Sequence, residues 1–108
     1  MKFEKTPVFG QDWRRLTGAE RDLFLRVVRE RFNPACDRRA LDPATPWPAA
    51  LRVKPMKSRP DILEMTWEPL NGRATFAWIV ANGEPRIRWR RIVSGSPLPR
   101  GMRPMRPR

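Results

Sequence analysis

The chain has 108 residues, 40% of them hydrophobic and 9% aromatic, a length that suits one small domain and an apolar content that excludes a globally disordered chain. Lys and Arg number 23 against 11 Asp and Glu, a formal net charge of +12, and the imbalance is concentrated after Glu84, where eight Arg and no carboxylate follow. Such a surplus favours a polyanion, because clustered cations release condensed counterions from a phosphate backbone, although an acidic protein or an anionic membrane surface would profit from the same charge.

The opening KFEKTPVF, residues 2 to 9, alternates Phe3 with charged neighbours and reads as a first strand. Phe9, Trp13 and Leu16 then recur at helical spacing and predict a helical turn or two over residues 10 to 16. Thr17 followed three residues later by Glu20 is a capping box. Behind it, Leu23, Phe24, Val27, Val28 and Phe32 mark the core face of a helix, with Asp22, Arg26, Arg29 and Glu30 on its solvated face. Residues 33 to 48 contain four prolines and read as a connector, regular only in a short turn around Asp37 to Leu41.

From Ala50 the period changes to two. LRVK, residues 51 to 54, predicts a short edge strand, and residues 62–69, 73–81 and 85–93 predict a meander. Asn71-Gly72 and Asn82-Gly83 are the turn signals, since both central residues of a type I′ turn need positive φ. In PRIRWRRI, residues 85 to 92, alternation directs Ile87, Trp89 and Val93 to one face and Arg86, Arg88 and Arg90 to the other. The tail from residue 96 is rich in Pro and Arg, has neither period, and reads as flexible. No apolar signal core precedes Trp13, and the longest apolar run, ATFAWIVA, is too short to span a bilayer, which leads to the expectation of a soluble, cytoplasmic protein.

These elements define an α+β fold in which helices cover one sheet face through Leu63, Met65, Trp67, Phe76, Trp78, Ile87 and Trp89. The other face would display Arg52, Lys54, Glu64, Thr66, Arg73, Thr75, Arg86, Arg88 and Arg90, a surface suited to an RNA backbone. Trp47, between prolines, either stacks a base or closes the edge of the core. Cys36 has no second cysteine and no histidine to activate it, so neither a disulfide nor a Cys-His nucleophile is available, and no metal-ligand cluster or cofactor loop is visible.

The order of elements over residues 1 to 95 resembles the RelE/ParE/HigB superfamily of type II toxins. The marks are the segment Trp13 to Thr17 before the second helix, Leu51 to Met56 before the central strand, the Glu64-Met65-Thr66-Trp67 strand, and Gly72-Arg73 leading to Phe76. The resemblance implies a leading strand, a helical hairpin and a final antiparallel meander. It further implies a ribosome-dependent messenger-RNA endonuclease, or in some members a gyrase inhibitor, held inactive by an acidic antitoxin. Arg73 matches the arginine that contacts the scissile phosphate in the RNA-cleaving members. The His, Tyr or Lys usual after the last strand is not matched, because the chain has no His and no Tyr.

Metal-free RNA cleavage needs a base for the 2′-hydroxyl and cations for the crowded phosphorane, and guanidinium forks serve the second need. The candidates for catalysis are Arg73 and Arg90, with Arg88 beside them, and Glu64 as base; Arg52, Lys54, Arg86, Arg88 and Arg91 are the candidates for holding nucleic acid. The competing reading for Glu64 and Glu68 is plain cross-strand pairing with Arg73, Arg88 or Arg90. Three functions therefore stay open: a nuclease on translating message, a binding protein for ribosomal RNA or an acidic partner, and a gyrase inhibitor.

Overall fold

In the computed structural model, residues 1–68 and 72–95 are described; the expected flexible tail and the residue Asn71 lie outside them. The first strand, β1 (Lys2–Lys5), is shorter than its sequence pattern, because Thr6 diverts the chain. Thr6 gives its N–H to the carbonyl of Trp89, then accepts from Phe9 N–H on its hydroxyl, with Pro7 occupying the first helical turn where no N–H is needed. Helix α1 (Pro7–Arg14) thus starts before residue 10, and Phe9 and Trp13 turn together toward the core.

The capping box forms as expected at the start of α2 (Gly18–Val27), with Glu20 N–H on Thr17 Oγ1 at 3.1 Å and Thr17 N–H on Glu20 Oε1 at 2.8 Å. Residues 33 to 48 are not the irregular connector that four prolines suggest. A π-helical turn (Val28–Phe32) carries α2 straight into α3 (Asn33–Leu41), and Asn33 N–H bonds the carbonyl of Val28, five residues back. A wider turn of this kind lets a helix pass a proline such as Pro34, which has no N–H to donate and stands in the first turn of α3. The expected hairpin is therefore α1 followed by one long helical run, with Phe24 and Phe32 buried on its inner side.

A 3-10 turn (Ala49–Leu51) takes Leu51 out of the segment expected as an edge strand, and pairing is confined to β2 (Lys54–Pro55). Then follow β3 (Ile62–Glu68), β4 (Gly72–Ala81) and β5 (Glu84–Val93), giving a five-stranded mixed sheet in the order β1-β5-β4-β3-β2. Strands β2 to β5 are antiparallel, and β1 joins β5 in parallel with Lys2 opposite Arg86 and Glu4 opposite Arg88. Asn82 and Gly83 both have positive φ, 54° and 78°, as a type I′ turn requires. Gly72 does not serve as a turn centre; it opens β4 opposite Glu68.

Met65, Trp67, Phe76, Ile87 and Trp89 are buried beneath the helices as expected, while Leu63 and Trp78 are only partly covered. Two bulges break the period of two. One, between Thr66 and Glu68, ends the alternation of β3, so Glu68 is buried instead of facing solvent with Glu64. The other falls in β5, where Thr75 pairs with Arg91 but Phe76 with Trp89, leaving Arg90 as the additional residue. Ile92 takes the core position that strict alternation gives to Val93, and Val93 is exposed. Trp47 closes the edge of the core: its ring stacks on Phe32 at 5.5 Å, meets Phe76 and Trp78 edge-on, and lies under the Arg39 guanidinium.

Candidate nucleic-acid interface

The face of the sheet away from the helices is built from alternate residues of four strands. Strand β4 contributes Arg73, Thr75, Ala77 and Ile79; β3 contributes Ile62, Glu64 and Thr66 opposite them; β2 contributes Lys54 opposite Glu64. From β5 come Arg86 and Arg88, paired with Ile79 and Ala77. Because Trp89 and Ile92 both enter the core with two residues between them, Arg90 and Arg91 both turn to this outer face. The bulge thus sets two adjacent arginines opposite Thr75 where a regular strand would present one.

Most of these cations meet a carboxylate. Glu4 receives Arg88 Nε at 2.6 Å and Arg86 Nη1 at 3.4 Å. The hydrogen bond from Arg88, with further help from Arg86, holds the Glu4 carboxyl below its ordinary range against a smaller opposing effect of desolvation. Glu64 Oε1 accepts from Arg73 Nη1 at 2.8 Å and lies 3.9 Å from Lys54 Nζ. At the edge of β5, beyond the end of β1, Asp12 of α1 accepts from Arg91 Nε at 2.7 Å and from Ile92 N–H at 3.2 Å. Burial pushes the Asp12 carboxyl up, but the bonds from Arg91 and Ile92 outweigh it and leave the group below its ordinary value.

The Arg90 side chain stands apart, with no hydrogen bond or ion pair among the described residues, although its carbonyl accepts from Thr6 Oγ1 at 3.2 Å. Its charge reaches Asp61, which Arg59 already holds at 2.9 Å. Six cations, Lys54, Arg73, Arg86, Arg88, Arg90 and Arg91, face three carboxylates, Glu4, Glu64 and Asp12, so three positive charges remain uncompensated. Ala77 and Ile79 add partly exposed apolar surface to the same face, and Ile62 beside them is buried, so the face is less uniformly basic than its arginines suggest.

The structure brings Arg73, Glu64, Lys54, Arg86, Arg88, Arg90 and Arg91 onto one surface. Arg52 is not on it; it caps the 3-10 turn in a left-handed conformation, φ 48°, and lines a cleft beside the end of β3. Among the described residues Glu68 does not pair with an arginine, and accepts instead from Gly95 N–H and Ser94 Oγ. Cys36 is fully buried, and desolvation pushes its thiol up to about 12, which removes it from nucleophilic chemistry. Glu4 and Asp12, which organise four of the arginine contacts, were missed in the sequence because the pairing spans about eighty residues. Only the alternation of Phe3 with Glu4 carried a hint of it.

Among the described residues no helix is long and apolar enough to cross a membrane, and no three or more His, Cys, Asp or Glu cluster as metal ligands would. The fold and this face define an α+β protein with a mixed sheet whose open side carries surplus positive charge. Comparison with protein-family models, with curated proteins and with solved structures gave no match to the chain.

Proposed function

We propose that the open sheet face binds RNA through its phosphates, and that the protein is a toxin-like endoribonuclease acting on messenger RNA at the ribosome, restrained by an acidic partner. The observation that carries this reading is the Arg90 guanidinium, unpaired among the described residues and set by the β5 bulge on the same face as the Arg73–Glu64 pair. Arg90 and Glu64 flank Thr75 from opposite strands, a span of roughly 10 Å at two strand spacings, enough for a phosphate with its ribose between them. Glu64 Oε2 accepts no hydrogen bond among the described residues and is the oxygen available to take a 2′-hydroxyl proton. The resulting alkoxide attacks the adjacent phosphorus, the bond to the 5′-oxygen breaks, and a 2′,3′-cyclic phosphate remains; Arg73 and Arg90 hold the non-bridging oxygens, and solvent protonates the departing oxygen.

A second reading has its own observation. Glu64 is engaged by two cations, and the chain has no His or Tyr to act with it, an arrangement equally suited to a face that binds ribosomal RNA without cutting it. A translating extract separates the two. With wild-type protein, primer extension on a reporter message should show new 5′ ends in register with codons, lost in Arg73→Ala and reduced about 10²- to 10⁴-fold in Glu64→Gln. Intact message on ribosomes that nonetheless retain the protein in salt-sensitive fashion would leave only the binding reading standing. Inhibition of gyrase with no RNA cleavage would discard both.

A further inference from the structure

We propose that a second site, the cleft between α2, the π-helical turn, the 3-10 turn and the end of β3, binds a nucleoside monophosphate. Its volume of about 420 Å³ falls within the range of small-molecule sites. Three of its lining side chains are arginines, Arg26, Arg31 and Arg52, and none of them has an ion pair or hydrogen bond from its side chain among the described residues. That contrasts with the sheet face, where all but one of the arginines meet a carboxylate.

A second, independent observation comes from the wall. Trp67 lines the cleft, is only 3% exposed, and its indole N–H has no acceptor among the described residues. A buried donor without a partner costs about 1–3 kcal/mol, so an acceptor on a bound ligand would relieve it. Leu23, Val27 and Leu51 supply apolar surface beside it. Two carboxylates also line the cleft, but each has a partner elsewhere: Glu30 lies 3.7 Å from Arg29, and Glu68 accepts from Gly95 N–H and Ser94 Oγ. The ligand class follows from these demands together. A phosphate dianion answers several guanidinium forks at once, and a base offers ring acceptors to the indole and a flat apolar face to the aliphatic wall. A carboxylate side chain carries a single negative charge against three guanidiniums and offers no flat face to the aliphatic wall.

Arg52 adds a conformational argument. It is a non-glycine residue held in the left-handed region at φ 48°, a strained backbone of the kind that persists where a side chain must be aimed. The site stands whether or not the sheet face cleaves RNA, since of the cleft's lining only Thr66 also belongs to that face.

The test is a titration of the full chain at low salt with AMP, GMP, CMP and UMP, and separately with inorganic phosphate, by calorimetry and by the indole N–H cross-peaks of the ¹⁵N–¹H spectrum. The Trp67 peak is assigned through its contacts with Phe24, whose ring lies 5.6 Å away. The expected result is one saturable site for at least one nucleoside monophosphate, weaker binding of phosphate alone, and a shift of the Trp67 peak. Arg26→Ala with Arg31→Ala should weaken it by about tenfold or more, whereas Arg38→Ala, which removes an exposed cation of α3 outside the cleft, should not. Four results would overturn the site: no saturable nucleotide binding; a stationary Trp67 peak; an equal loss in Arg38→Ala; or displacement of that peak by a Glu-rich peptide and not by nucleotides.

Discussion

At the scale of single residues, Asp12 shows how a carboxylate supports the basic surface whose charge it opposes. It is almost fully buried, yet it satisfies both Arg91 and the Ile92 N–H that β1 is too short to reach. Asp12→Ala should cost about 2–3 kcal/mol, because it strands a buried backbone donor as well as an ion pair, and chemical denaturation measures that directly. The pH dependence has a definite sign. Asp12 and Glu4 both have folded-state values below their ordinary 3.8 and 4.5, so the stabilisation they give is complete above those values and is lost as pH falls through the folded ones. Acid titration of wild type should therefore show a stability loss that sets in as pH falls through the ordinary carboxylate range and is complete below the folded values, and Asp12→Asn should flatten it; an unchanged acid limb would contradict the assigned contacts.

Among the elements, the bulges decide what the sequence left unread. The capping box of α2, the Asn82-Gly83 turn and the meander follow from local chemistry and were legible, since a capping box or a positive-φ pair needs only near neighbours, whereas the Thr6 cap that starts α1 at Pro7 was not read. The bulges were not, because period two carries no marker for an inserted residue, and so Val93 was assigned the core position that Ile92 holds. The run of prolines hid α3 for a related reason: the π-turn that accommodates Pro34 depends on where Phe32 can be buried. At the β3 bulge, a Cβ on Gly72 would lie 2.5 Å from Glu68 Cγ. Gly72→Ala should destabilise by about 1–3 kcal/mol, but adding it to Glu68→Ala, which removes the obstructing atoms, should cost almost nothing more. Full additivity in that double-mutant cycle would show that the collision is not what keeps Gly72 small. Trp47→Ala should cost about 3 kcal/mol in stability while leaving RNA affinity intact, since its ring is committed to Phe32, Phe76 and Trp78. A selective loss of RNA binding in this variant would restore the base-stacking role.

For the molecule as a whole, charge and topology work together. The parallel β1–β5 pairing brings Glu4 under Arg86 and Arg88, so two of the arginines assigned to nucleic acid are partly neutralised before any ligand arrives. The basic face was legible in the alternation of β4 and β5, but its effective charge was not, because the compensating carboxylates come from the other end of the chain. What remains after pairing is Arg90 and the residual field around it, and the account rests on phosphate being drawn there. The most direct measurement is the affinity of the protein for a single-stranded RNA as a function of salt, for wild type and for Arg90→Ala. If the open sheet face holds phosphate, Arg90→Ala should weaken binding about equally across RNA sequences and reduce the magnitude of the log K against log salt slope by about 0.7 to 1. A slope and affinity unchanged by Arg90→Ala would contradict the account and move the RNA contact off this face.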